Sequence, residues 1–243
     1  GLTRLPAPKT TFFTENYLDQ WRLHCSHGSE LEILTPKNGY YSGTADALYQ
    51  NLDFLLASDT DTVLILTSDH VYKMDYRKLL AFHAQVGAKA TVAVVPVSIA
   101  DAYRFGILKT DAQGRITDFV EKPDIPPGNL GSMGIYVFDK KNLIKQLEEN
   151  AAESNSPHDF GYAIIPKMVK QGRAFAYRFS GYWRDIGTIE AFYEAHMDLT
   201  QKQAPYRFNG TWPIITPQSY HPMKRQAGPQ AHIKNSIISP GCV

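Results

Sequence analysis

The apolar run Val63–Leu66 constrains the fold more than any other stretch of the chain. A continuous run of this kind predicts a strand that is buried on both faces, as the strands of parallel sheets are. The run is followed by Thr67-Ser68 and then by the carboxylate of Asp69. Ligands of open α/β sheets bind beyond the carboxyl ends of the strands, so Asp69 has a position suited to binding a nucleotide or a metal ion. The alternative is that Asp69 only caps the following helix.

The elements around this strand predict an α/β domain. Apolar residues recur at helical spacing from Leu79 to Val86, and a second apolar run, Ala90–Val97, follows. Strand, helix and strand in this order predict a βαβ unit with parallel strands. The segments Gly106–Thr110 and Arg115–Val120 flank the turn residues Asp111–Gly114 and predict an antiparallel hairpin. We therefore expect a mixed, mostly parallel central sheet.

Further elements follow from periodicity. Phe12, Tyr17 and Trp21 recur at helical spacing around Thr14, which predicts a helix with Thr14 as its N-cap. One more helix is predicted to open at Ser42-Gly43-Thr44 and to bury an apolar stripe. The remaining predictions are strands over Leu31–Thr35, Ser132–Phe138 and Ala174–Phe179, and helices over Lys141–Glu149, Tyr162–Lys170 and Ile189–Leu199.

Composition excludes several classes of protein. The 243 residues are 43% hydrophobic and 20% charged, as in ordinary globular proteins, and the net charge is +1. No overall field attracts nucleic acid or an anionic membrane, so we expect neither partner. Cys25 and Cys242 have no metal-binding spacing and favour a reducing compartment. Without an apolar run of membrane-spanning length or a signal-peptide pattern, we expect a cytoplasmic protein, or a stromal one if the source has plastids.

The composition changes near residue 200. Prolines crowd the next thirty residues or so and predict a linker or extended arm over residues 201–230. Apolar residues then recur about every fifth or sixth position over residues 231–243, as in one rung of a β-helix. We therefore expect an α/β domain over residues 1–200 with an incomplete N-terminal part, then the linker, then the first rung of a truncated β-helix.

Several motifs in a fixed order resemble the glucose-1-phosphate adenylyltransferases, a family of sugar-nucleotide pyrophosphorylases. Each motif is weak alone, but their order is specific, and they cover the chain from about Gly43 to its end. The resemblance implies a Rossmann-like nucleotidyltransferase domain followed by a left-handed β-helix. The matching stretches are GTADALYQNLDF from Gly43, SDHVYKMDY from Ser68, FGIL from Phe105, FVEKP from Phe119, SMGIYVF from Ser132, HDFG from His158, YWRDIGTIEAFY from Tyr182 and TWPIITP from Thr211.

The resemblance implies a reaction and a metal. Glucose 1-phosphate would attack the α-phosphorus of ATP, giving ADP-glucose and pyrophosphate for glycogen or starch synthesis. Asp69 and Asp185 would hold Mg²⁺, whose preference for carboxylate oxygens agrees with this. Such an in-line displacement needs positioning and charge neutralisation more than a covalent nucleophile. Taken alone, Asp185 beside Arg184 is better explained as a salt-bridged turn residue, and only its occurrence together with Asp69 favours the metal site.

The resemblance also implies the residues that bind the sugar. Glu121 would accept hydrogen bonds from glucose hydroxyls, and Lys122 would meet the sugar phosphate as a compact positive charge and act in catalysis. Ser132, Gly106 and Tyr41 would complete the binding of glucose 1-phosphate. Taken alone, Glu121 and Lys122 are explained as a solvated ion pair.

A nucleotide contact is implied at Gly43 and Thr44, with Asp69 as a third contact. A turn of small residues lets the backbone approach the nucleotide, and a helix N-terminus favours anions. An ordinary helix cap is the alternative for this pair. Asp159 is sugar-side or structural, and His158 is assigned no catalytic role.

One family signature, a glycine-rich loop of the form GGGxGxRL, is absent from the sequence. Gly1–Leu5 is a candidate remnant, with Arg4 and Lys9 as candidate phosphate contacts. The chain is then either part of a longer one or a degenerate relative. Two alternatives therefore stay open beside the adenylyltransferase: a non-catalytic regulatory subunit and another sugar-1-phosphate nucleotidyltransferase. The family implies allosteric control and a homotetramer, or a hetero-oligomer with a related subunit.

Overall fold

The computed structural model describes residues 10–14, 21–25, 32–34, 36–37, 39–201 and 203–205. Arg4, Lys9 and the predicted β-helix rung lie outside the described residues, as does most of the predicted linker. The described chain divides into two compact units, one within residues 1–68 and 76–180 and the other within residues 69–75 and 181–243. No helix of the described residues combines the length and apolarity needed to cross a membrane.

Eleven strands and six α-helices are formed within the described residues. The strands are β1 Thr10–Thr14, β2 Trp21–Cys25, β3 Glu32–Leu34, β4 Thr62–Leu66, β5 His70–Tyr72, β6 Ala90–Pro96, β7 Gly106–Thr110, β8 Ile116–Glu121, β9 Leu130–Asp139, β10 Ala174–Arg178 and β11 Trp183–Asp185. The helices are α1 Thr44–Gln50, α2 Leu52–Ala57, α3 Tyr76–Val86, α4 Lys140–Ala152, α5 Ile165–Lys170 and α6 Ile189–Leu199. A 3-10 helix spans Ile99–Arg104, and a π-helical turn spans Phe160–Ile164.

A nine-stranded mixed sheet forms the first unit within the described residues. Its path runs β10-β6-β9-β4-β1-β2-β3, and β7 extends it by pairing with both β8 and β9. Only the pairs β1–β4 and β10–β6 are parallel among the described strands. The prediction of a mixed α/β sheet is confirmed, and the prediction that it is mostly parallel is wrong.

The βαβ prediction is wrong in one respect: its two strands, β4 and β6, are not neighbours in the sheet. β4 and β6 run in the same direction, because β9 is antiparallel to both of them. β9 is inserted between them and is buried along most of its length. The centre of the sheet therefore contains the antiparallel pairs β4–β9 and β6–β9, where the sequence predicts parallel strands.

Two local predictions need correction. Phe12 lies in strand β1, which ends at Thr14, and Trp21 begins β2, so neither residue lies in a helix; residues 15–20, where the helix capped by Thr14 would begin, lie outside the described residues. Threonine and phenylalanine fit a pleated strand well, and pairing with β4 outweighs the helical spacing of the aromatic residues. The helix predicted to open at Ser42-Gly43-Thr44 is divided into α1 and α2 at Asn51.

Aromatic and aliphatic side chains join one face of this sheet to the helices. Phe138 of β9 and Leu143 of α4 are fully buried, and the Phe160 ring lies 5.7 Å from that of Phe138. Asp159 caps the π-helical turn by accepting a hydrogen bond from the Tyr162 amide at 3.0 Å. The core thereby fixes the turn that begins at Phe160.

The second unit contains a two-stranded antiparallel sheet, β5 with β11, followed by α6. Arg184 of β11 binds α6 through Asp198, with Nη2 2.8 Å from Oδ2, and through Glu194. Tyr182 donates a hydrogen bond to the same Asp198 oxygen at 2.8 Å. These contacts fasten β11, and therefore the position of Asp185, to the helix.

Candidate active site

The pairing of β5 with β11 brings the two predicted metal ligands together. His70 lies directly opposite Asp185 in this ladder, and Asp69 precedes His70 in the chain. The Ile186 amide donates a hydrogen bond to the Asp69 carbonyl at 2.9 Å, which continues the pairing past the end of β5. Two segments more than one hundred residues apart in sequence thus place two carboxylates beside one imidazole.

The geometry of this group suits a divalent metal ion. His70 Nε2 lies 3.4 Å from Asp69 Oδ1 and 3.6 Å from Asp185 Oδ1. One ligand atom from each of the three residues lies within 4.8 Å of the others. The side chains are mostly shielded, with 10% of His70, 21% of Asp69 and 16% of Asp185 exposed. Oxygen and nitrogen ligands at this spacing could hold a divalent cation.

Glu121 is the centre of a second group, which lies in the first unit. It ends β8 opposite Gly106 of β7, and a Cβ at Gly106 would lie 2.7 Å from Glu121 Oε2. Gly161 packs so closely on the same carboxylate that an alanine there would collide with it. Burial raises the pKa of Glu121 to about 7, with a further contribution from the negative charge of Asp159 and an opposing one from Lys122.

Lys122 follows with an unusual backbone. Its φ is +44°, a left-handed conformation that lysine seldom adopts and that costs free energy. The Lys122 amide donates to the Phe105 carbonyl at 3.1 Å, which holds this conformation, while the side chain is exposed. The turn therefore places one exposed cation immediately after the half-buried Glu121 side chain.

The raised pKa of Glu121 gives a prediction for stability. The Glu121 carboxyl binds its proton more tightly in the folded protein than in the unfolded chain, where its pKa is 4.5. Its protonation therefore stabilises the fold fully below pH 4.5, and this contribution is lost as the pH rises through about 7. Glu121→Gln removes the ionisation. Relative to the wild type, the variant should gain up to about 3 kcal/mol in free energy of unfolding between pH 4 and pH 8.

Urea unfolding of both proteins at several pH values measures this difference. Glu148→Gln removes an exposed carboxylate of α4 and is the control. A wild-type-minus-variant difference that is flat from pH 4 to pH 8 would contradict a raised pKa at Glu121.

The predicted nucleotide residues Gly43 and Thr44 are bound to a distant loop. The His158 carbonyl accepts hydrogen bonds from the Ala45 amide at 2.8 Å and the Asp46 amide at 3.2 Å, and so caps α1 from outside. Thr44 Oγ1 donates to Asp159 Oδ2 at 2.8 Å and accepts from the Phe160 amide at 3.0 Å.

This loop connects two predicted subsites. Asp159 holds Thr44, and Gly161, two residues later, packs on Glu121. The residues expected to bind nucleotide and the residues expected to bind sugar therefore share one support. Asp159, left open from the sequence between a sugar-side and a structural role, has the structural contacts described here.

Ser132 and Tyr41 have other partners. Ser132 is buried on β9, where its hydroxyl accepts a hydrogen bond from the Gly134 amide at 3.2 Å. Tyr41 Oη accepts from Asn51 Nδ2 at 3.1 Å, and burial raises its pKa. Neither contact tests the predicted binding of glucose 1-phosphate, which stays a prediction for both residues.

Sequence reasoning missed two features of these groups. His70 is not among the predicted ligands although it adjoins Asp69, and the Asp-His pair at a strand end is the available signal. Gly161 was not singled out, because only the three-dimensional contact with Glu121 reveals why a side chain is excluded there. Asp69 and Asp185 meet as predicted.

Comparison with known proteins adds a family and its relatives. The family model described as nucleotidyl transferase matches residues 9–202. Glucose-1-phosphate adenylyltransferase of Clostridium novyi is 42% identical over 229 residues, which are 91% of this chain and 59% of the relative. The enzyme of that name from Thermotoga neapolitana is 43% identical over 91% of this chain and 54% of its own length. That from Fusobacterium nucleatum is 44% identical over 88% and 56%. The chain thus spans between half and three fifths of these curated relatives.

Proposed function

Because this chain belongs to the nucleotidyl transferase family, we propose that it transfers the adenylyl group of ATP to glucose 1-phosphate, with ADP-glucose and pyrophosphate as products. The meeting of Asp69 and Asp185 across the β5–β11 pairing carries the proposal, because nucleotidyl transfer needs a cation beside the reacting phosphates. The substrates are those in the name of the relatives that are 42–44% identical to this chain.

The reaction balances without a covalent intermediate. A phosphate oxygen of glucose 1-phosphate forms a bond to the α-phosphorus of ATP, and the bond from that phosphorus to the bridging oxygen of pyrophosphate breaks. Mg²⁺, when bound by Asp69 and Asp185, would supply charge neutralisation to the phosphates. Both carboxylates can accept this role, since their oxygens lie close together and are partly shielded from water.

The other predicted residues bind and orient the substrates. Glu121 would accept hydrogen bonds from glucose hydroxyls in its ionised form, and Lys122 would contact the sugar phosphate and neutralise it in catalysis. The exposed side chain and the left-handed backbone of Lys122 support this assignment. Ser132, Gly106 and Tyr41 would bind glucose 1-phosphate.

Gly43 and Thr44 would contact the nucleotide. The hydrogen bond from Thr44 to Asp159 would then link nucleotide binding to the position of Gly161 against Glu121.

The wider architecture is part of the same proposal. A catalytic domain would cover residues 1–200, a linker residues 201–230 and the beginning of a left-handed β-helix residues 231–243. The assembly would be a homotetramer. The regulatory-subunit alternative has no support from the comparisons, since the relatives bear the name of the catalytic enzyme.

A coupled assay of pyrophosphate release, with ATP, glucose 1-phosphate and Mg²⁺, tests the function. We expect release with ATP, weaker or no release with GTP, UTP or dTTP, and loss of at least about a hundredfold in Asp69→Asn. ADP-glucose should appear in equal amount by chromatography. Absence of release with every nucleotide, from a folded full chain, would overturn the proposal.

A further inference from the structure

His70 has a place in the carboxylate group that the proposed function does not use. It is the cross-strand partner of Asp185 and the chain neighbour of Asp69, and its side chain is the least exposed of the three at 10%. Its ring meets the Trp183 ring edge to face, with centroids 5.1 Å apart and planes at 77°. The imidazole is therefore held in one orientation, with Nε2 near both carboxylates.

The separations are those of ligands around one ion. Two ligand atoms bound about 2.1 Å from a metal lie about 3.0 Å apart at a right angle and about 3.4 Å apart at a tetrahedral angle. The observed distances from Nε2 to the two carboxylate oxygens are 3.4 Å and 3.6 Å. The three ligand atoms all lie within 4.8 Å of one another, so small side-chain rotations would let them bind the same cation.

The chemistry of the third ligand sets the preference for a metal. Mg²⁺ favours oxygen ligands and retains several waters, whereas an imidazole nitrogen suits first-row transition metals. We propose that His70 is a third ligand of the metal held by Asp69 and Asp185, and that this site binds Mn²⁺ and Co²⁺ more tightly than Mg²⁺. The inference rests on the proposed function in one respect only, the assignment of the two carboxylates as metal ligands.

Electron paramagnetic resonance of the full chain with Mn²⁺ tests the nitrogen directly. We expect one bound Mn²⁺ and, in pulsed spectra, a nitrogen coupling of the kind given by a ligating imidazole. His70→Asn should abolish the coupling and weaken Mn²⁺ binding about tenfold or more, while Mg²⁺ binding, measured by competition, changes less than about threefold. His196→Asn, on exposed α6, is the matched control and should change neither.

Two outcomes would overturn the inference. One is a wild-type spectrum without nitrogen coupling, whether Mn²⁺ binds through oxygen alone or does not bind. The other is a His70→Asn variant that keeps both the coupling and the wild-type affinity.

The proposed function fails in a different way, through absence of ADP-glucose from the wild type with any metal. Formation of ADP-glucose by the wild type with Mg²⁺, together with a nitrogen coupling that His70→Asn abolishes, supports both conclusions.

Discussion

Asp185→Asn is expected to slow ADP-glucose formation by about a thousandfold or more. Asparagine keeps the shape of the side chain but removes the negative charge, so the remaining Asp69 carboxylate would hold the cation less tightly. Steady-state rates across a range of Mg²⁺ concentrations measure the effect. We expect both a lower kcat and a higher Mg²⁺ concentration at half-maximal rate.

The contacts of Arg184 bear on the alternative that the sequence allows for Asp185. As a salt-bridged turn residue, Asp185 would pair with its neighbour Arg184. Arg184 instead forms ion pairs with Asp198 at 2.8 Å and with Glu194 of α6. Asp185 lies opposite His70, with a carboxylate oxygen 3.6 Å from Nε2. Its removal should therefore change metal binding more than it changes the fold.

A matched control removes one negative charge from the same unit. Glu190, in the first turn of α6, is exposed, and Glu190→Gln should keep the rate within about twofold. Thermal unfolding of both variants shows whether they remain folded. If folded Asp185→Asn retains a rate within tenfold of the wild type, Asp185 is not a metal ligand in the reaction.

The long apolar strands and the hairpin could be predicted from local pattern. β4, β6 and β9 are continuous buried runs, and the turn residues between β7 and β8 gave their antiparallel pairing. The neighbour of each strand could not be predicted. That β9 lies between β4 and β6 depends on contacts between segments far apart in the chain, which no local pattern records.

The two carboxylates of the candidate site could be predicted from the sequence, but the strands that position them could not. Asp69 and Asp185 were expected to meet, but strands β5 and β11, which bring them together, have only three residues each. Such short strands show no periodicity, and they form only because they pair with one another. The same limit hid His70, whose place beside Asp185 is fixed by that pairing.

Gly43→Ala is expected to lower the free energy of unfolding by about 2–4 kcal/mol. A Cβ at Gly43 would lie 2.7 Å from the Pro157 carbonyl oxygen and closer still to that of His158. Both obstacles are backbone atoms, so no side-chain rotation relieves the collision. The φ of Gly43 is 177°, an extended conformation open to any residue, and the cost is therefore steric alone. Urea unfolding measures the loss.

Gly128→Ala is the matched control, because its added Cβ would meet only the Leu108 carbonyl oxygen at an ordinary 3.6 Å. We expect it to change stability by less than about 1 kcal/mol. The comparison decides why the chain has glycine at position 43. If Gly43→Ala unfolds like the wild type and only raises the KM for ATP, the glycine serves close approach of the nucleotide. If stability falls as expected, it serves the contact with the 157–158 backbone, which positions Thr44 on Asp159 and would thereby support both proposed substrate subsites.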